Sequence, residues 1–457
     1  MAEPLPDGLL VAAYGDDFTG SAAVMEVMSF AGLPAALFLD IPTDEQMARF
    51  PGLRAIVVAG TARSHGIAWM DSNLPRIFNG LAKIGAPLVH YKVCSTLDSA
   101  RHVGSIGRAI ELALDTFAAP WVPVLLAAPA IRRYQCFGNL FAAAPGGVFR
   151  LDRHPVMARH PVTPMDEADV ANHLARQTHI PIGVLDLEAL RDSATARARL
   201  AELMAAGTRA VCLDTMSEAD LAQCGSLIWA SRGPGAFCVG SQGIEYALVA
   251  HWRQTGAVPL AKPPGGIGVA RGMVSVSGSV SPVTSGQIDW ALAHGFAGHF
   301  VDPGDLVGDD TQARAAEAAA VDGCCIALSG GKNPLVFTAR GPDDPSIARL
   351  DGARARAGVD KETANNRIGA ALGRILAQVM QKTGVRRAVI SGGDTSGHAT
   401  RQLGIFALTA LAPTTPGAAI FRTWSSAPAW DGLELALKGG QMGSEDYFGR
   451  VRDGGGG

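Results

Sequence analysis

The chain has 457 residues, 48% of them hydrophobic and 18% charged, with a net charge of −3 and an isoelectric point near 6.4. That composition supports a large core and excludes a disordered chain, and its slight acidity argues against a broad nucleic-acid surface, whose signature is a basic patch or stripe. No stretch reaches the ~18 apolar residues of a membrane span, and the opening MAEPLPDGLL lacks the basic and apolar regions of a signal peptide, so a cytoplasmic chain that avoids nucleic acid and membrane is expected.

In chain order, short apolar runs at 9–13, 35–38, 55–58, 88–91 and 122–127 predict strands, and the patterns at 21–31 and 106–117 predict helices. Further strands follow at 183–185, 210–213 and 236–239. The Pro- and Gly-rich stretch 256–272, GAVPLAKPPGGIGVARG, reads as a linker. Beyond it, runs at 273–276, 298–301, 324–328 and 388–390 predict a second set of strands. The alanine-rich QARAAEAAAV predicts a surface helix, and the closing DGGGG reads as a disordered end or a cloning remnant. Strands alternating with helices imply an α/β chain of two domains, 1–258 and 259–457, each with a largely parallel sheet flanked by helices. The seven cysteines form no CxxC pair and their number is odd. Free thiols are therefore expected rather than disulfides or a zinc site.

Chemistry gathers where strands end, because an open α/β sheet binds ligands at the carboxyl ends of its strands. GDDFTGS puts Asp16 and Asp17 at such an end. Paired carboxylates there can bind a metal, accept hydrogen bonds from sugar hydroxyls or act as a base, although a plain helix N-cap by Asp17 or Thr19 explains the same letters. GTARSHG puts Arg63 at the next strand end, where it can grip a carboxylate or phosphate. YKVCSTLDS adds Lys92, Ser95 and Thr96. Taken together these predict a site for a polyhydroxy acid. Its carboxylate would face Arg63 or Lys92, and its hydroxyls Asp16, Asp17, Ser95 and Thr96.

The second half repeats the design with small residues. SGSVS supplies Ser277, Gly278 and Ser279, and ISGGDTSG supplies Gly392, Gly393, Asp394 and Thr395. LKGGQMGS supplies a third glycine turn. Glycine turns that lead into helices suit phosphate, and Asp394 suits Mg2+. A nucleoside triphosphate site is expected. Neither GxxxxGK[ST] nor a GxGxxG after the first strand occurs, which disfavours a P-loop and a dinucleotide site.

GDDFTGS, YKVCSTLDS, RHPVTPMDEADVANHLARQT, GSQGIEYAL, SGSVSPVTSGQI, SGGDTSG and LKGGQMGSEDYF, in this order, resemble the four-carbon acid sugar kinases, a family that includes 3-oxo-tetronate, D-threonate and D-erythronate kinases. The resemblance spans nearly the whole chain. It implies an N-terminal acid-sugar-binding domain, a C-terminal nucleotide-binding domain, an active site in the cleft between them, and transfer of the γ-phosphoryl of ATP to the 4-hydroxyl of a four-carbon sugar acid. It assigns the acid to Asp16, Asp17, Arg63, Lys92, Cys94, Ser95 and Thr96. The nucleotide falls to Ser277, Gly278, Ser279, Gly392, Gly393, Asp394, Thr395, Gly439 and Gly440. Asp394 would hold Mg2+, and Asp17, with Asp16 as the rival, would be the catalytic carboxylate. ATP, Mg2+ and the sugar acid are the implied partners, and a homodimer is left open. The chain has YGDDFTGS where the family often has ADDFTGA, and Val280 where it often has cysteine, which leaves the exact acid open. A non-catalytic sugar-acid-binding protein, or a kinase of another small hydroxy acid, is the alternative.

Overall fold

Strand formation follows the apolar runs because each strand must be covered on both faces. The first unit contains β1 (Val11–Gly15), β2 (Ala35–Phe38), β3 (Ala55–Ala59), β4 (Val89–Lys92), β5 (Val122–Leu125), β6 (Arg133–Cys136), β7 (Asn139–Ala144), β8 (Gly147–Arg150), β9 (Ile182–Leu185), β10 (Ala210–Leu213) and β11 (Phe237–Gly240). The second contains β12 (Met273–Ser277), β13 (Phe296–Phe300), β14 (Asn333–Phe337), β15 (Arg387–Ser391), β16 (Ile405–Thr415), β17 (Ala418–Ser425) and β18 (Glu434–Lys438). The structure, a computed structural model, describes residues 4–160, 162–260, 262, 264–415 and 417–456. It divides into the units Met1–Ala261 and Lys262–Gly457.

In the first unit eight strands run parallel in the order β2-β3-β1-β4-β11-β5-β10-β9. Every residue of β1, β3, β4, β10 and β11 is buried, as expected for a parallel sheet with helices on both faces. One face packs its helices, Ile67–Ile84 and Ile106–Leu114, around Tyr14, Phe78, Tyr91 and Phe237. From β1 the chain steps to β2 and β3 on one side, then crosses to β4 on the other. The direction of winding therefore reverses at β1 and β4, and a ligand crevice belongs at that point.

The second unit repeats this winding. Its order is β13-β14-β12-β15-β18-β17-β16, parallel from β13 through β18 and antiparallel thereafter. Here the reversal lies at β12 and β15.

Three sequence expectations change. The run 324–328 is not a strand but the end of the helix Asp310–Ser329. Asp309 caps that helix through Thr311 N and Gln312 N, and its alanines carry it forward. The strand it was mistaken for is β14, which follows the turn at Gly331 (φ 74°) and lies between β13 and β12. A small antiparallel sheet, β6-β7-β8, lies between β5 and β9 in the chain. Its first turn places Phe137 at φ 46° and Gly138 at φ 76°. That backbone normally announces itself as Asn-Gly or Asp-Gly; with Phe in front of Gly the signal is missing. Finally, Gly454–Gly456 are not a loose end. Ile267 N bonds Gly454 O at 2.9 Å and Gly456 N bonds Pro413 O at 2.8 Å.

All seven cysteines are free, and among the described residues no helix is long and apolar enough to cross a membrane.

Candidate active site

The reversal point of the first unit brings Asp16, Asp17, Arg63 and Lys92 together. Asp16 directly follows β1, and its backbone is fixed from both sides: its N–H donates to Lys92 O at 2.9 Å and its carbonyl accepts Arg63 N–H at 3.0 Å. Arg63 then turns its side-on fork onto the Asp16 carboxylate, Nη2 to Oδ1 at 2.6 Å and Nε to Oδ2 at 3.2 Å. The same Nη2 donates to Asp17 Oδ1 at 2.7 Å. Lys92 Nζ stands 3.6 Å from that oxygen.

Asp17 is also the N-cap of the helix Phe18–Phe30, accepting Gly20 N–H at 3.1 Å on Oδ1 and the Thr19 hydroxyl at 2.7 Å on Oδ2. The N-cap reading of the DD pair therefore holds. The cap fixes the carboxylate, and the fixed carboxylate faces the cations. Gly20 is there because a Cβ would fall 1.9 Å from Lys92 Nζ and 2.3 Å from Asp17 Oδ1.

Burial separates the two acids. Asp16 is 2% exposed, and the loss of solvent raises its pKa against the pull of Arg63 and Lys92. Asp17 is 22% exposed. Burial pushes it upward too, but Arg63, Lys92 and the Thr19 and Gly20 hydrogen bonds overcome this and hold it well below its ordinary value. Burial would lower the Arg63 guanidinium, yet the carboxylates of Asp16 and Asp17 raise it. Next to this cluster, Cys94 Sγ lies 3.2 Å from Thr96 Oγ1, and Ser95 is half-buried.

In the second unit the last residues of three adjacent strands stand in register: Ser277 of β12 beside Ser391 of β15, beside Lys438 of β18. Gly278 N–H donates to Ser391 O at 3.1 Å and Gly392 N–H to Lys438 O at 2.9 Å. Gly392 has a φ of 127°, which favours glycine. Gly440 closes the group: its carbonyl accepts the Ser281 and Thr284 hydroxyls, and a Cβ on it would fall 2.6 Å from Ser279 Oγ. Gly393 begins the helix Gly393–Gln402. The side chains of Asp394 and Thr395 lie outside the described residues, and with them the expected Mg2+ ligand.

The sequence reading missed Lys438. It is fully buried, and its Nζ donates to Thr284 Oγ1 at 3.0 Å and Gly439 O at 3.1 Å, with no carboxylate partner among the described residues. Burial pushes its pKa down to about 7. Two further groups in this row, Ser277 Oγ and Ser391 Oγ, are buried without a hydrogen-bond partner among the described residues. A lysine without an acid, beside two unmatched hydroxyls and the first turn of a helix, is a set of donors suited to an anion. The signal was present in LELALKGG, a lysine ending an apolar run just as Lys92 does.

Comparisons with known proteins match both halves. A family model described as a sugar-binding N-terminal domain covers residues 11–248, and one described as a nucleotide-binding C-terminal domain covers 274–448. The chain is 45% identical over 451 residues to the 3-oxo-isoapionate kinase of Paraburkholderia graminis, spanning 98% of this chain and 95% of that protein. It is 31% identical over 456 residues to the 3-oxo-tetronate kinase of Methylobacterium radiotolerans, spanning 97% and 99%. A Salmonella typhimurium structure described as a putative tRNA synthase shares the fold, with a TM-score of 0.79 at 23% identity over 96% of this chain and 98% of that one. The chain belongs to the four-carbon acid sugar kinase family, phosphotransferases that act on a hydroxyl group of a sugar acid.

Proposed function

We propose that this chain transfers the γ-phosphoryl group of ATP to the terminal 4-hydroxyl of a 3-oxo sugar acid. The observation that carries the reading is the pair of unlike strand-end sites in one chain. One is a charge-balanced carboxylate and cation cluster in residues 11–248, and the other is a row of uncommitted donors around Lys438 in residues 274–448. The substrates that the relatives are named for, 3-oxo-isoapionate and 3-oxo-tetronate, are both 3-oxo acids. The 45% relative makes 3-oxo-isoapionate the first candidate.

Phosphoryl transfer needs alignment and neutralised charge more than a strong base. Asp17 fits that demand. Among the described residues its Oδ2 accepts only the Thr19 hydroxyl, so it retains an acceptor position for the substrate hydroxyl, and its low pKa keeps it ionised. Asp16, with both oxygens on Arg63, holds the cluster together. Lys438, the Ser277 and Ser391 hydroxyls and the N–H groups that open the helix Gly393–Gln402 would meet the phosphates, aided by the turns at Ser279, Gly439 and Gly440. Mg2+ would enter with ATP and neutralise phosphate charge, with Asp394 and Thr395 as its nearest proposed contacts. A cytoplasmic setting completes the reading, and sedimentation of the purified protein decides between monomer and homodimer.

The test is ADP release with Mg-ATP across 3-oxo-isoapionate, the 3-oxo-tetronates, and D- and L-threonate and erythronate. Turnover of a 3-oxo acid, abolished by EDTA and restored by Mg2+, is expected. Turnover of threonate or erythronate alone would move the substrate to the reduced acids, and no ADP release with any acid would sink the proposal.

A further inference from the structure

The charges of the first site leave a question that its four residues do not answer. Asp16 and Asp17 balance Arg63 and Lys92, and Arg63 already holds both acids through Nε and Nη2. A sugar acid arriving here adds one negative charge. In a partly desolvated site that charge needs a cation of its own.

Arg133 offers one. It opens β6, and its backbone is fixed near the carboxyl end of β5 by Ala128 N to Arg133 O at 3.0 Å and Arg133 N to Ala128 O at 3.2 Å. β4 and β5 both flank β11, so their ends are about 10 Å apart, two strand spacings. Cys94, two residues past β4, is close enough to both Arg63 and Arg133 to interact electrostatically with each.

The guanidinium is anchored on one side and free on the other. Nη1 donates to three backbone carbonyls, those of Ile131, Arg132 and Ala143, at 3.2, 3.3 and 3.4 Å. Among the described residues the buried Nε has no hydrogen-bond partner, and no carboxylate pairs with the side chain. Nε and Nη2 form the same side-on edge with which Arg63 holds Asp16. A buried unmatched donor costs about 1–3 kcal/mol unless something meets it. Burial without an anion also lowers the Arg133 pKa.

We propose that Arg133 receives the carboxylate of the sugar acid on its Nε–Nη2 edge and so sets the preference for an acid over the neutral sugar of the same skeleton. The assignment rests on the kinase reading above. It divides the labour between two arginines: Arg63 preorganises the aspartates, and Arg133 binds the substrate anion in the bidentate manner that a lysine cannot copy.

The test compares wild type, Arg133→Gln and Arg133→Lys on 3-oxo-tetronate and on erythrulose, the same skeleton with the carboxylate replaced by a hydroxymethyl group. For Arg133→Gln, KM for the acid should rise at least about tenfold, with kcat and the KM for ATP within about threefold of wild type. Its kcat/KM on erythrulose should stay within about threefold, so that the acid preference collapses. Arg133→Lys should recover part of the acid affinity. An unchanged KM for the acid, an equal loss on both sugars, or a parallel rise in the KM for ATP would each overturn the assignment. A wild type that turns over neither compound, nor 3-oxo-isoapionate nor any other acid of the panel, would overturn the kinase reading itself, and this assignment with it.

Discussion

Lys438→Met is the sharpest probe of the second site. The substitution keeps the length of the side chain and removes its charge from a position with no exposure. The fall from 10.5 to about 7, at about 1.4 kcal/mol per pH unit, is worth about 5 kcal/mol at most. The folded pKa is depressed, so between pH 7 and 10.5 the unfolded chain carries the extra proton and wild-type stability rises with pH. Below pH 7 both states are protonated and the whole penalty is present. Wild type should therefore be weakest relative to the methionine variant at pH 7 and recover steadily by pH 9.5. Loss of the donor to Gly439 O and Thr284 Oγ1 takes roughly 1 kcal/mol each from the variant, so its advantage at pH 7 should be a few kcal/mol. Urea midpoints for both proteins from pH 7 to 9.5 measure this. ATP titrated at pH 8 in two buffers of different ionisation enthalpy should show uptake of up to one proton by wild type and none by the variant, which should also bind ATP more weakly. A stability difference that is flat with pH would refute the account of Lys438 as a buried amine without an anion.

Arg63→Ala takes from the buried Asp16 the guanidinium that holds both its oxygens, leaving the more distant pull of Lys92, and unfolding at pH 7.5 should become easier by roughly 3 kcal/mol. At pH 4 the loss should be much smaller, because the raised Asp16 can then be protonated. Asp17→Asn removes a carboxylate held well below 3.8, whose contribution is present above that pH and lost beneath it. The variant should be less stable than wild type at neutral pH, with the gap closing as the pH falls below 3.8, and a gap that widens there would contradict the assignment. Gly20→Ala pushes a methyl group into Lys92 Nζ and Asp17 Oδ1 and should lower kcat/KM for the acid roughly 10–100-fold, with the KM for ATP unmoved in the same steady-state assay.

Much of the first site was legible because its members sit at strand ends, where an acid or a cation after an apolar run has no packing reason to be. Asp16, Asp17, Arg63 and Lys92 all carry that mark. Their mutual pairing was not legible, since Arg63 meets Asp16 across 47 positions and spacing says nothing of which partner a guanidinium chooses. An arginine expected to hold the substrate carboxylate turns out to have its fork filled by Asp16. Lys438 carried the same mark as Lys92 but was hidden behind the glycines that follow it. The helix Asp310–Ser329 shows the limit of short apolar runs: Cys324–Leu328 suits a strand as well as a helix, and only the cap at Asp309 and the alanines before it decide. Arg133 stood in a hairpin whose Phe-Gly turn gave no sign of itself, so neither the hairpin nor its cation could be seen.

The closing glycines have a practical consequence for anyone who expresses this protein. Gly454, Gly455 and Gly456 would each crowd a backbone atom if they carried a Cβ, at 2.3 Å from Gly268 O, 2.4 Å from Pro413 O and 3.0 Å from Gly266 N. Beside them, Arg387 donates to the carbonyls of Gly268, Val451 and Arg452. Trimming the chain at Arg452, as a boundary chosen from composition would invite, removes the partner of Ile267 N and unfastens the stretch that leads into β12, the first strand of the second sheet.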